Sequence, residues 1–263
     1  MSAMSLELSP WVLAWCATAM ACGGLIKGVL GVGTPLLTVP MIALVLPVHH
    51  AVVIMAIPVV VANLWQAFDA ERPVETTKRF WPAFVALLVG TWIGVRILSG
   101  IDEQALLIVV GVLVICFTLI QGSPFKITIP PRLEKPAGAA FCGSAGLIGG
   151  LSSMFGPMMI LYLVSLPSLD KNRFVNTISF LYVGAVVPWT VMLVAVGVLD
   201  ARLALMSGLS VIPLFVGLVL GRAIRKHVEE TVFYRLVLGV LILSGASMIW
   251  RAWQHGATAT IGG

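Results

Sequence analysis

"KGVLGVGTPLLTVP", residues 27–40, interrupts a long apolar run with one lysine, three glycines and two prolines. The segment that follows the glycines, 34–46, has 13 residues, too few to cross ~30 Å of hydrocarbon comfortably. Pro35 falls in its first turn, where a missing N–H costs nothing. One helix therefore ends at Gly31–Gly33 and another begins. Irregular backbone at membrane depth persists only where protein or a water-filled cavity satisfies its polar groups. The new helix presents unpaired N–H groups and about half a positive charge at its N-terminus, a ready anion site. Thr34 stands where it can cap that end. Lys27, one turn before the break, adds a full charge, whose burial costs at least ~2.5 kcal/mol unless it is paired or hydrated. An anion would offset that cost; snorkelling to the interface is the structural alternative.

The composition sets the solvent. Hydrophobic residues make up 59% of the 263, charged residues 10%, and mean hydropathy is +1.05, whereas soluble domains carry roughly 25% charged residues. Stretches such as 105–120, 204–220 and 236–249 read as membrane helices. Ahead of Trp11 there is no Lys or Arg, so a cleavable signal peptide is not expected. Cys16, Cys22, Cys116 and Cys142 lie in apolar segments without a CxxC pair and read as buried hydrophobes, not metal ligands or disulfides. The basic pI of 9.3 serves membrane topology; no nucleic-acid partner is implied.

An internal repeat organises the chain. A shift of 122 lays "GLIKGVLGVGTPLL" (24–37) on "GLIGGLSSMFGPMM" (146–159), matching Gly24, Leu25, Ile26, Gly28 and Pro35 with Gly146, Leu147, Ile148, Gly150 and Pro157. Further on, "GTWIGVRI" (90–97) falls on "GLVLGRAI" (217–224) and "GVLVI" (111–115) on "GVLIL" (239–243). The chain divides into a first membrane repeat at 1–121, a Pro-rich cytoplasmic linker at 122–136 and a second membrane repeat at 137–263. Helices are expected near 9–30, 34–46, 49–68, 80–98 and 103–121, then 137–151, 156–167, 173–196, 203–221 and 231–250. Five segments per half invert the second copy. The fold class is all-α integral membrane, two inverted-topology repeats with short broken or re-entrant helices at 24–46 and 146–167. With the N-terminus periplasmic, Arg72, Lys78, Arg79, Lys126, Arg132, Lys135, Lys171, Arg173, Arg222, Arg225, Lys226 and Arg235 all fall on the cytoplasmic side, as the positive-inside rule requires. A four-span half breaks that rule at 222–226.

The second break carries Ser152 and Ser153 where the first has Leu30 and Gly31, Gly149 in place of Lys27, and Gly156 before its proline. In an inverted repeat the two breaks approach each other across the pseudo-twofold axis. The candidate anion-binding set is Lys27, Gly31, Gly33, Thr34, Ser152, Ser153 and Gly156, joined by Asn176 and Ser179 on one face of the eighth segment with Tyr182. Gly24, Gly28, Gly146 and Gly150 read as packing glycines, and Asn63, Trp65 and Gln66 as interhelical partners.

The duplicated "GLIKGVLGVGTPLLTVP" and "GLIGGLSSMFGPMM", with the late GxxxG helices, resemble the TauE/SafE, or sulfite exporter, family over nearly the whole chain. The resemblance implies a transporter in the bacterial inner membrane that exports sulfite or a small organosulfur or organosulfonate anion. The family's run of glycines is interrupted here by Val32 and replaced in the second copy by Ser152–Phe155; Met154 and Phe155 would suit an organic tail.

All eleven carboxylates fall at helix ends or in loops, and His49 and His50 follow Pro47 at a loop, so the anion's own gradient and the membrane potential are the expected driving forces. Trp81, Trp92, Trp189, Trp250 and Trp253 read as interfacial anchors. No midplane Asp pair, HExxH helix or Ser–His pair is present, which argues against an enzyme, and no cofactor or metal is implied. The alternatives are an anion-selective channel and a transporter of a small carboxylate. Partners are the anion and the lipid bilayer, with a homodimer left open.

Overall fold

The computed structural model describes residues 9–31, 33–68, 73–122, 128–167, 169, 171–225 and 230–261. Glu7, Val32, Asp69, Glu71, Arg72, Lys126, Asp170, Lys226 and Glu229 lie outside them. Within them the chain is helical: α1 (Pro10–Leu30), α2 (Thr34–Ile42), α3 (Val48–Val53), α4 (Ala56–Phe68), α5 (Pro73–Gly100), α6 (Glu103–Gly122), α7 (Glu134–Ser152), α8 (Gly156–Val164), α9 (Lys171–Ala195), α10 (Ala201–Leu209), α11 (Val211–Ile224) and α12 (Glu230–Ile261). Among the described residues, seven segments are long and apolar enough to cross a membrane, so this is a multi-pass membrane protein. The cysteines described carry no disulfide.

Two expected segments are each broken in two. Pro58 lacks the N–H that would bond the carbonyl of Ile54, four residues back, and α3 ends just before that residue. Ser207 repairs the gap: its hydroxyl donates to Ile54 O at 2.8 Å and accepts from Ile57 N at 3.0 Å. Pro213 acts in the same way on Leu209, where α10 stops.

Glycine sets the helix pairing. A Cβ on Gly24 would overlap the carbonyl of Leu214, and one on Gly28 that of Leu218. The contacts advance together along both chains, so α1 and α11 run parallel with their backbones touching. Gly90 against Gly143 and Gly94 against Leu147 make α5 and α7 a second parallel pair. Such approaches are open only to residues without side chains, and Gly24, Gly28, Gly146 and Gly150 all serve this purpose.

α1–α2 and α7–α8 form antiparallel hairpins. Trp15 Nε1 donates to Met41 O at 2.8 Å and Thr38 Oγ1 to Ala19 O at 3.4 Å in the first; Tyr162 Oη donates to Glu134 O at 3.1 Å in the second. The hairpins open at opposite ends of α5. At its start, Arg79 pairs with Glu134 at 2.6 Å. Beyond its end, His49 Nδ1 lies 2.7 Å from Glu103 and Nε2 3.1 Å from Ile101 O, and Arg251 bonds Ala43 O at the mouth of the first hairpin. Trp81, Trp92, Trp250 and Trp253 are exposed, whereas Trp189 is wholly buried and donates to Gly150 O at 3.1 Å. It is an internal brace, not an interfacial anchor, because the carbonyls at the end of α7 need a donor.

Gly24→Val is expected to lower the melting temperature of the detergent-solubilised protein, the overlap costing about 1–3 kcal/mol. Gly239→Ala, where a Cβ meets open space, should leave it unchanged or slightly higher.

Candidate functional site

Both hairpin tips are built by one device. α1 is closed by Gly31 at φ +83°, whose N–H donates to Lys27 O at 2.7 Å. α7 is closed by Ser153 at φ +63°, whose N–H donates to Gly149 O at 2.7 Å. These positions correspond under the shift of 122. Left-handed geometry is natural for glycine at a helix end and costs a serine about 1 kcal/mol. The next helix in each hairpin starts within three residues and carries Pro35 or Pro157 in its first turn.

The cap of α2 differs from expectation. Its N-cap is Gly33 at φ +99°, with no side-chain bond, and Thr34 is already helical. A helical Thr34 turns its side chain back toward α1, where its methyl meets Gly23. The first N–H groups of α2 therefore lack a side-chain cap.

These two uncapped starts face one cavity of about 30 Å³, lined by Gly33, Pro35 and Leu36 from the first tip, Met154–Pro157 from the second, and Tyr182 from α9. A Cβ on Gly156 would overlap the Tyr182 phenol oxygen. Beside it lies a larger, mainly apolar cavity of about 330 Å³, which shares Gly33, Leu36, Gln121, Pro157 and Ile160 and extends between the end of α6 and α12.

Lys27 is buried, with 7% of its surface exposed. Its Nζ donates to Asn63 Oδ1 at 2.9 Å and stands 5.7 Å from the centre of the Tyr182 ring. Asn63 is held in turn by its own bond to Val59 O at 2.7 Å. The charge thus rests on an amide oxygen and an aromatic ring. Arg222, at the end of α11, stacks 4.5 Å from the Trp65 ring on the same helix as Asn63.

The sequence-derived set divides clearly. Gly33 and Gly156 line the small cavity, and Lys27 reaches it through Tyr182. Thr34, Ser153 and Ser179 are buried with hydroxyls that have no partner among the described residues, a condition that calls for a ligand or water. Ser152 is used internally, donating to Ile148 O at 2.7 Å and accepting from Met154 N at 3.3 Å. Gly31 faces open space, and the side chain of Asn176 lies outside the described residues. Asn63, Gln121 and Tyr182 were not in that set. For Asn63 and Tyr182 the one signal is a polar group inside an apolar span, which equally suits interhelical bonding; Gln121 stands at the end of its segment.

Comparison with known proteins agrees with this architecture. The sulfite exporter TauE/SafE family profile matches residues 16–248. A probable nitrate transporter, NarT, of Staphylococcus carnosus (strain TM300) is 27% identical over 118 residues, 44% of this chain and 29% of that protein, so the chain spans well under half of that relative's length. No solved structure matches. With nearly its whole length matched, the chain belongs to the sulfite exporter TauE/SafE family, whose members are transporters and not enzymes.

Proposed function

We propose that this protein is a secondary transporter that exports sulfite or a small organosulfonate anion across the bacterial inner membrane, holding the anion between the two hairpin tips. The observation that carries this reading is the meeting of the α2 and α8 N-termini at one cavity beside a buried ammonium. Helix N-termini attract anions through free N–H groups and the macrodipole. The binding set is Lys27, Gly31, Gly33, Thr34, Ser152, Ser153, Gly156, Asn176 and Ser179, to which Asn63 and Tyr182 are added. The larger apolar cavity suits an organic tail.

The paired contacts favour two inverted halves, 1–121 and 137–263, joined by 122–136. α1 rests on α11 as α7 rests on α5, and the hairpins open at opposite ends. Placing Arg79 and the end of α11 on the cytoplasmic side puts the N-terminus in the periplasm. A second reading, a small inorganic oxyanion such as nitrate, draws support from the nitrate transporter relative.

Counterflow of labelled sulfite in proteoliposomes tests the function. Lys27→Ala should lower saturable exchange about ten- to hundredfold, the worth of a charge-assisted hydrogen bond. Competition by organosulfonates, nitrate, sulfate and acetate ranks the substrate classes; absence of saturable flux for any of them refutes a carrier. Gly156→Ala should cut transport while yield holds, because its methyl group would overlap the Tyr182 phenol oxygen and push the ring from its place beside Lys27. In a cysteine-free background, Ser9→Cys should react with an impermeant maleimide on intact cells and Leu133→Cys only after permeabilisation; the reverse pattern inverts the topology.

A further inference from the structure

We propose that the protein works as an anion exchanger, its site reorienting readily only while a bound anion neutralises Lys27. This rests on the hairpin tips being the anion site. Both groups that hold the Lys27 ammonium, Asn63 Oδ1 at 2.9 Å and the Tyr182 ring at 5.7 Å, are uncharged. Lys27 is in neither of the ion pairs His49–Glu103 and Arg79–Glu134, and no described carboxylate compensates it. The described acids, Asp102, Glu103, Glu134 and Asp200, stand at helix starts, away from the hairpin tips.

A buried ammonium without a counter-charge is costly. An amide oxygen and a ring quadrupole relieve only part of that cost. With a monoanion bound, the Lys27 charge is cancelled and the site reorients without carrying it. Without one, and with Lys27 protonated as in a mildly acidic medium, the same movement carries one positive charge through the membrane field. Exchange of anion for anion uses the neutral step in both directions. Net efflux also needs the charged site to return from the outer to the inner side. A negative interior draws positive charge inward, so membrane potential speeds that return and hence net efflux, and leaves exchange unaffected.

The test is efflux of labelled hydrogensulfite from proteoliposomes in mildly acidic buffer, with and without unlabelled hydrogensulfite outside, at potentials set by potassium and valinomycin. In the wild type, exchange should run on the order of tenfold faster than net efflux, given the cost of an unpaired charge in the membrane. Net efflux alone should rise as the interior is made negative. Asn63→Asp sets a carboxylate beside Nζ in place of the amide; it should bring the exchange-to-efflux ratio toward one and raise the half-saturating concentration, because the aspartate competes for Lys27. Equal exchange and efflux rates in the wild type, exchange accelerated by potential, or a folded Asn63→Asp protein with the wild-type ratio would each overturn the exchange mechanism while leaving the anion site standing. Should Asn63→Asp not fold, the wild-type potential dependence decides. No saturable flux of any anion would remove the site reading and the exchange mechanism together.

Discussion

Helix ends inside a membrane leave N–H and C=O groups that no lipid can satisfy, and this chain places two such breaks in its interior. The rest of the structure answers that requirement. Left-handed closures at Gly31 and Ser153 use up carbonyls of the ending helices. Trp189 spends its indole N–H on Gly150 O, and Ser152 doubles back on α7 and on Met154. What stays uncapped by side chains is the start of each short helix, and both starts face the same small space. In the proposed function, the group that covers these positive ends is the transported anion.

That arrangement needs a frame able to hold two hairpins tip to tip. Backbone contact along α1–α11 and α5–α7 supplies it, since four glycines on each pair let the helices approach without side chains between them. In a membrane, where burial of apolar surface between helices yields little, close packing is the main source of association. Each pair joins an early segment to a late one, so the two hairpins are anchored crosswise. Ser207 and Thr190 tie the broken third segment into the same frame through Ile54 O and Ala56 O.

Lys27 holds a singular place in this frame. Its neighbours Asn63 and Tyr182 lower the cost of its charge without cancelling it; under the proposed function a carboxylate there would take the place of the substrate anion. The same electrostatic incompleteness that makes a binding site attractive makes an unfilled site hard to move. Under the proposed exchange mechanism, binding and coupling have one physical origin.

Much of this was legible in the amino-acid order. Composition placed the chain in a bilayer, and glycine and proline marked both breaks and the ten segments, because backbone conformation at these residues is a local property. The packing role of Gly24, Gly28, Gly146 and Gly150 also followed from spacing alone. Other features depended on what lies across the fold. Gly33 and not Thr34 is the N-cap of α2, and the helical Thr34 turns its side chain toward Gly23. Trp189 is buried because the end of α7 lies beside it, and the break that Pro58 makes in the third segment is repaired by Ser207 from 150 residues away. Above all, Asn63 and Tyr182 looked like ordinary polar residues in apolar helices until the fold set them against Lys27. Local chemistry thus announced a charge and two helix ends within the membrane; only the crossing of distant helices decided which groups share that charge, since hydrogen-bond partners and burial are properties of position in space.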